Sequence, residues 1–212
     1  MPEPLDLAAD LLPVPGGRRI LGLAGPPGAG KSTLATAIVD GLNVRFGTHT
    51  AAYVPLDGFH LSNAQLARLG TADRKGAIFT FDVGGYLALL RRLLDERTED
   101  VYVPDYDRRL HEPIAARHVV PAGVRLIVTE GNYMANPAVG WREITGLAAE
   151  LWYVDAPAEE RLRRLVKRHS AGNRDPEAAR QRATHNDIPN GELVLADQTR
   201  CHRTVPGTST RP

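Results

Sequence analysis

Residues 25–32 read Gly-Pro-Pro-Gly-Ala-Gly-Lys-Ser, the full G-x-x-x-x-G-K-S/T pattern in which a glycine-rich turn curls its backbone N–H groups inward onto phosphate oxygens. On this pattern Gly25, Pro26, Pro27, Gly28, Ala29, Gly30, Lys31, Ser32 and Thr33 are expected to bind ATP. Lys31 would neutralise the β- and γ-phosphates and the Ser32 hydroxyl would ligate Mg²⁺. Two carboxylates, Asp57 and Glu130, each follow an apolar run. Transfer of a phosphoryl group to an alcohol needs one carboxylate to take the hydroxyl proton and a second near Mg²⁺ or its water shell. Asp57, in an Asp-Gly turn, is the expected base and Glu130 the expected metal-side group. A third cluster, Arg161, Arg163, Arg164, Lys167 and Arg168, follows Pro157. At helical spacing Arg161, Arg164 and Arg168 form one stripe that could clamp transferring phosphate charge, with Arg164 and Arg168 in catalytic positions.

Other chemistry is poorly represented. The seven histidines are scattered without metal-ligand spacing, which argues against a transition-metal site; His60, three residues beyond Asp57, is the one expected to touch substrate. The only cysteine, Cys201, excludes an intrachain disulfide and fits a reducing, cytoplasmic setting. Twenty-six Lys and Arg against 25 Asp and Glu leave a net charge of +1, so no global field favours nucleic acid. No apolar run approaches the roughly 18 residues of a membrane span, and the first residues lack a basic start followed by an apolar core, so neither export nor membrane insertion is expected.

The elements that must position these residues follow from pattern. A length of 212 residues fits one large α/β domain. RRILGLA (18–24) reads as a buried strand feeding the glycine turn, and Thr33 to Phe46 as a helix with Leu34, Ala37, Ile38 and Leu42 on one face. AAYVPL (51–56) is a second strand. Residues 70–81 read as a mobile loop, Tyr86 to Leu94 as a helix, and 101–121 as short extended pieces around turns. VRLIVT (124–129) and LWYV (151–154) are further apolar strands. Trp141 and Trp152 read as core. Apolar strands alternating with amphipathic helices imply a parallel sheet covered on both faces. The expected division is an N-terminal extension over 1–17, a domain over 18–205 and a disordered tail over 206–212.

GPPGAGKS, VPLDGFH, PDYDRRLHEP and IVTEGNY together resemble the P-loop kinases grouped with uridine kinase, phosphoribulokinase and bacterial pantothenate kinase, from about Arg18 to Val205. RKG, TFD, EGNY and NDIPNG are similar to bacterial members described as nucleoside/nucleotide or fructose-transport-type kinases. The resemblance implies a three-layer P-loop NTPase fold with a helical lid over Arg161 to Arg168. It also implies Asp57 as base, Glu130 near metal or substrate, and Arg74, Lys75, Tyr106 and Asn132 as substrate-side residues. Asp57 is followed by Gly-Phe-His where uridine kinases carry Ser-Phe-Tyr. Gly58-Phe59 agrees with pantothenate kinases, which carry a longer N-terminal region.

The expected activity is therefore ATP-dependent phosphorylation of a hydroxyl on a small metabolite, whether nucleoside, sugar or pantothenate. The competing class is a P-loop ATPase or a nucleotide-binding regulator without an acceptor. A GTPase would need N-K-x-D, which is missing; Asp82-Val83-Gly84-Gly85 fits D-x-x-G without ending an apolar strand. Neither nucleic acid nor membrane is expected as a partner, and a homodimer is left open.

Overall fold

The computed structural model describes residues 3–14, 16–171 and 175–207. A short helix, α1 (Pro4–Ala9), precedes strand β1 (Arg19–Ala24), helix α2 (Lys31–Phe46) and strand β2 (Ala51–Pro55). Two short helices follow, α3 (Asn63–Arg68) and α4 (Val83–Asp95), then an antiparallel hairpin of β3 (Val101–Asp107) and β4 (Glu112–Val120). The chain continues through β5 (Leu126–Glu130), α5 (Trp141–Leu147), β6 (Glu150–Asp155), α6 (Ala158–Ala171), α7 (Pro176–Arg182), a π-turn (Ala183–Asp187) and α8 (Ile188–Ala196) to β7 (Arg203–Pro206). Strands β2, β5, β1, β6 and β7 lie side by side in that order, and every pairing among them is parallel.

Both faces of this sheet are buried, which is why its strands read as unbroken apolar runs instead of alternating ones. Successive residues point to opposite faces. Ile20, Ile127, Leu151 and Tyr153 join Tyr86, Leu90, Trp141 and Ile144 of α4 and α5 on one side. Leu21, Val128, Trp152 and Val154 join Leu34, Ile38 and Leu42 of α2 on the other. Ala8 and Leu11 extend that second layer, and Asp6 pairs with Arg45 at 2.7 Å, so the N-terminal segment lies against α2. The result is an α/β three-layer fold.

Several boundaries differ from the sequence reading. Helix α2 starts at Lys31 rather than Thr33, because the glycine turn feeds its first amides directly. Residues 70–81, expected as a mobile loop, fold into 3₁₀ turns at Ala72–Arg74 and Ile78–Thr80. Thr80 is fully buried there, and the Gly76 carbonyl accepts from Tyr133 at 2.8 Å. The extended pieces over 101–121 are the hairpin. Pro206 belongs to β7, whereas 208–212 lie outside the described residues. Asp82 caps α4 by accepting from Gly85 N at 2.9 Å, which accounts for the D-x-x-G match structurally. Trp141 and Trp152 are core residues, and Cys201 packs against the core with burial pushing its thiol up to about 12. Among the described residues, no helix is long and apolar enough to cross a membrane.

Candidate active site

Three loops leave the carboxyl edge of neighbouring strands together. β1 ends in the glycine turn, β2 in the 3₁₀ turn Leu56–Phe59 that holds Asp57, and β5 in Glu130. The register sets Glu130 opposite Leu23 on one side and Pro55 on the other, so it stands between the glycine turn and Asp57. Ligands in open α/β sheets bind at this edge. A cleft of about 1370 Å³ opens here, roofed by α6 and the segment 182–190.

Pro27, Gly28, Gly30, Lys31, Ser32 and Thr33 line the cleft floor. Gly28 has φ +79°, and a Cβ on it would come within 2.7 Å of the Arg161 carbonyl on α6, so both its conformation and its neighbour require glycine. Ala29 N bonds the Pro26 carbonyl at 3.2 Å, closing the turn, and Gly25 abuts Val154 on β6. Lys31 Nζ donates to Asn132 Oδ1 at 2.7 Å and to the Pro26 carbonyl at 3.1 Å. Burial pulls its ammonium down to about 8, against Glu130 and Asp57, whose charges push it up.

Ser32 Oγ donates to Glu130 Oε1 at 3.0 Å and the Tyr53 hydroxyl donates to the same oxygen at 2.8 Å. Glu130 is 4% exposed; burial pushes its carboxyl up, and the nearby Asp57 charge pushes it further. A hydroxyl and a carboxylate are hard oxygen donors suited to Mg²⁺, which takes few protein ligands and completes its shell with phosphate and water. Among the described residues, no group of three or more His, Cys, Asp or Glu side chains could hold a metal by itself.

Asp57 stands opposite, with about a third of its side chain open to the cleft. Its turn is pressed against the hairpin: a Cβ on Gly58 would meet the Pro104 carbonyl at 2.5 Å. Burial pushes the Asp57 carboxyl up, but His60, Arg108, Arg168 and Lys31 outweigh it and hold the group below its ordinary value. Of two neighbouring carboxylates, Asp57 is thus the ionised one and Glu130 the one driven toward its proton. His60 Nδ1 lies 2.8 Å from the Asp57 carbonyl, and its ring centre lies 4.9 Å from that of Tyr106, tilted by 48°. Burial, then Lys75 and Arg108, lower its imidazole, against the Asp57 charge and carbonyl, which raise it.

Lys75 reaches the hairpin turn, bonding the His111 carbonyl at 2.5 Å and Asn63 Oδ1 at 2.7 Å, and lies over the Tyr106 ring at 5.2 Å. On α6, Arg164 donates to the Gly28 and Ala29 carbonyls at 3.2 Å, and Arg168 lies 4.0 Å from Asp187. The expected stripe is incomplete: Arg164 and Arg168 line the cleft, while Arg161 turns back to the Ala156 carbonyl at 3.2 Å. Arg74 departs from expectation as well. It is exposed on the outside of its 3₁₀ turn and does not line the cleft, whereas the next residue, Lys75, does.

Residues brought to the cleft that sequence reasoning missed include Arg108, Arg109, Arg182, Asp187 and Asn190, and Tyr53 stands behind it, bonded to Glu130. Tyr53 sits inside an apolar strand and reads as core. Arg108 and Arg109 lie beside the singled-out Tyr106, so their adjacency in PDYDRRLHEP was an available signal.

No family model matches the sequence. Individual proteins do. A Schizosaccharomyces pombe protein provisionally named uridine kinase is 30% identical over 84% of this chain and 78% of its own length. The ATP-dependent kinase-like protein notR' of Aspergillus versicolor is 33% identical over 72% of this chain and 94% of its own length. A solved Silicibacter structure, provisionally described as a fructose transport system kinase, is 34% identical, with a TM-score of 0.84 over 94% of this chain and 95% of that one. With a complete phosphate-binding turn on the right strand and kinase-named relatives matched over most of their own length, the chain belongs to the P-loop kinase family.

Proposed function

We propose that the protein transfers the γ-phosphoryl group of ATP to a hydroxyl of a small metabolite. The observation that carries this reading is the ionised Asp57 facing the Lys31–Ser32–Glu130 group across one cleft. An enzyme that only hydrolysed ATP would not need the cleft to continue past that carboxylate to His60, Lys75 and Tyr106.

In this reading the amides of residues 28–33 and Lys31 hold the β- and γ-phosphates, with Lys31 exchanging Asn132 for a phosphate oxygen. Ser32 and Glu130 would hold Mg²⁺, which when bound would offset negative charge on the phosphates. Asp57 aligns the acceptor hydroxyl. The P–O bond to ADP breaks, a new P–O bond forms to the acceptor oxygen, and the hydroxyl proton passes to Asp57. Its lowered affinity for protons keeps Asp57 in the accepting form at neutral pH, which suits a loose transition state in which the proton leaves late. Arg164 and Arg168 approach from α6 as a lid, replacing their present carbonyl and carboxylate partners with phosphate oxygens and excluding water.

The names of relatives, which speak of uridine and of fructose transport, leave the acceptor open within polar, hydroxyl-bearing metabolites. ATP consumption measured with and without a panel of such metabolites tests the reading. An acceptor-dependent rise in ADP release that disappears in Lys31→Ala supports it. ADP release indifferent to every acceptor would move the protein to the ATPase class.

A further inference from the structure

The cleft is far more basic than the protein around it. The whole chain carries +1, yet nine of the ionisable side chains lining the cleft are Lys or Arg against four Asp or Glu. Mg–ATP, with a charge of about −2, meets Lys31, Arg164 and Arg168 at the glycine turn. Cations remain beyond Asp57, on the side where the acceptor must lie. Of the carboxylates among the described lining residues, Asp57 alone faces that side; Glu130, at the end of β5, is bonded to Ser32 of the glycine turn, and Glu160 and Asp187 belong to the roof.

These acceptor-side cations are carried by a shaped turn. The Asp107 side chain, 8% exposed, accepts from the backbone N–H of Arg109 at 2.9 Å and of Leu110 at 3.1 Å, and pairs with Arg117 at 3.2 Å. That arrangement fixes the tip of the β3–β4 hairpin as an Asx-type turn and sets Arg108 and Arg109 in the cleft wall. Arg108 lies 3.4 Å from Asp57 with half its side chain exposed, a long and weak contact for a guanidinium–carboxylate pair. Arg109 has no ion-pair partner within 4.0 Å among the described residues, whereas Lys75 pairs with Glu112 at 3.7 Å and is anchored to the same tip through the His111 carbonyl. Arg168, opposite, is lowered by burial and then by the charge of Arg108, while Asp187, Asp57 and Glu130 push it back up, so the single Asp57 charge is shared between guanidinium groups on both sides of the cleft.

We propose that the phosphate acceptor carries an anionic group, a phosphate ester or a carboxylate, in addition to the hydroxyl that is phosphorylated, and that Arg109, Arg108 and Lys75 at the hairpin tip bind it. The proposal rests on the kinase reading above and narrows its substrate class. A neutral nucleoside or sugar presents hydroxyls and amides, which would leave the charge of Arg109 unanswered and that of Arg108 met only by its long contact to Asp57. An anion receives forked, charge-assisted hydrogen bonds, the stronger interaction by about twofold. Closing the lid over a neutral acceptor would trap like charges in a drier space, whereas an anion between them removes that cost.

The test offers the full-length enzyme and Mg–ATP matched sets of acceptors: a neutral sugar or polyol, its phosphate monoester and its carboxylic acid, with the phosphorylated product identified by mass spectrometry. An anionic member should react at least tenfold faster, in kcat/KM, than its neutral counterpart, and the two anionic arms tell phosphate from carboxylate. Arg109→Ala should then raise the acceptor KM at least tenfold with little change in the KM for ATP, and Arg109→Lys should restore part of it. Neutral members reacting as well as anionic ones would overturn the proposal while leaving the kinase reading intact. An acceptor KM unmoved by Arg109→Ala would overturn it too. Product from no member of any set would overturn both readings.

Discussion

The Tyr53 hydroxyl donates to Glu130 Oε1 at 2.8 Å, on the same oxygen that accepts from Ser32. A strand residue that reads as core thereby orients the carboxylate assigned to Mg²⁺. Glu130 is pushed up by burial and by Asp57, and the Tyr53 bond is one of the contacts pulling it down. Tyr53→Phe removes that contact, so Glu130 should take up its proton at a higher pH and the acid limb of kcat/KM should move to higher pH. Hydrogen bonds to charged groups contribute about 1.5–3 kcal/mol, so activity at pH 7 should fall on the order of tenfold. An unchanged acid limb, with the variant folded, would remove Tyr53 from the site.

Lys31 governs the opposite limb. Its ammonium, brought down to about 8 mainly by burial, is charged below that pH and loses its proton above it. ATP affinity of the free enzyme should therefore weaken as pH rises through about 8. At saturating ATP, kcat should hold to higher pH, because phosphate oxygens around Nζ favour the charged form. Nucleotide titrations between pH 6.5 and 9.5 (~3 pH units around the Lys31 value) read this directly, and a flat affinity across that range would contradict it.

Asp57→Asn keeps side-chain size and the ability to form the turn but removes the proton acceptor. Phosphoryl transfer should fall by about 10² to 10⁴, equivalent to about 3–5 kcal/mol of barrier, with ATP binding retained. Single-turnover assays beside nucleotide titrations separate these effects. Transfer at the wild-type rate would shift the base to Glu130.

Arg18 carries a prediction about stability. It is 6% exposed and donates to the carbonyls of Leu93, Glu96, Pro121, Ala122 and Val124 at 2.7–3.0 Å, tying the start of β1 to the end of α4 and the turn before β5. Arg18→Met leaves those carbonyls without their donor and should cost about 3 kcal/mol or more, a fall in Tm of roughly 6–12 °C for a chain of this size. Arg18→Lys, with three donors in place of five, should fall between. A Tm unchanged by Arg18→Met would show that water replaces the guanidinium.

Legibility in the sequence followed how local each signal was. The glycine turn is a contiguous pattern dictated by phosphate geometry, and Asp57 and Glu130 could be read because an α/β sheet brings its carboxyl ends to one edge. The strands declared themselves through burial on both faces. β7 did not: Arg203–Pro206 has one buried residue, Val205, and is a strand only because β6 offers it an edge. Arg74 enters with Lys75 through the resemblance of the R-K-G loop, but a 3₁₀ turn sends neighbouring side chains in different directions. Arg109 and Asn190 reach the cleft, and Tyr53 reaches Glu130, through tertiary packing, which periodicity does not encode.

The roof and the acceptor-side wall are stitched together through main-chain oxygens. Arg182 donates to the carbonyls of Asp73 and Lys75 at 2.7 Å, Asn186 to that of Lys75 at 3.4 Å, and Asn190 to that of Gly76 at 3.3 Å. The segment 182–190 cannot shift without carrying 73–76 along or breaking these bonds, so whatever favours one position of the roof favours the matching position of Lys75. In the proposed kinase reading the two halves of the cleft are therefore in heterotropic linkage: to the degree that nucleotide tightens the grip on acceptor, acceptor must tighten the grip on nucleotide by the same factor.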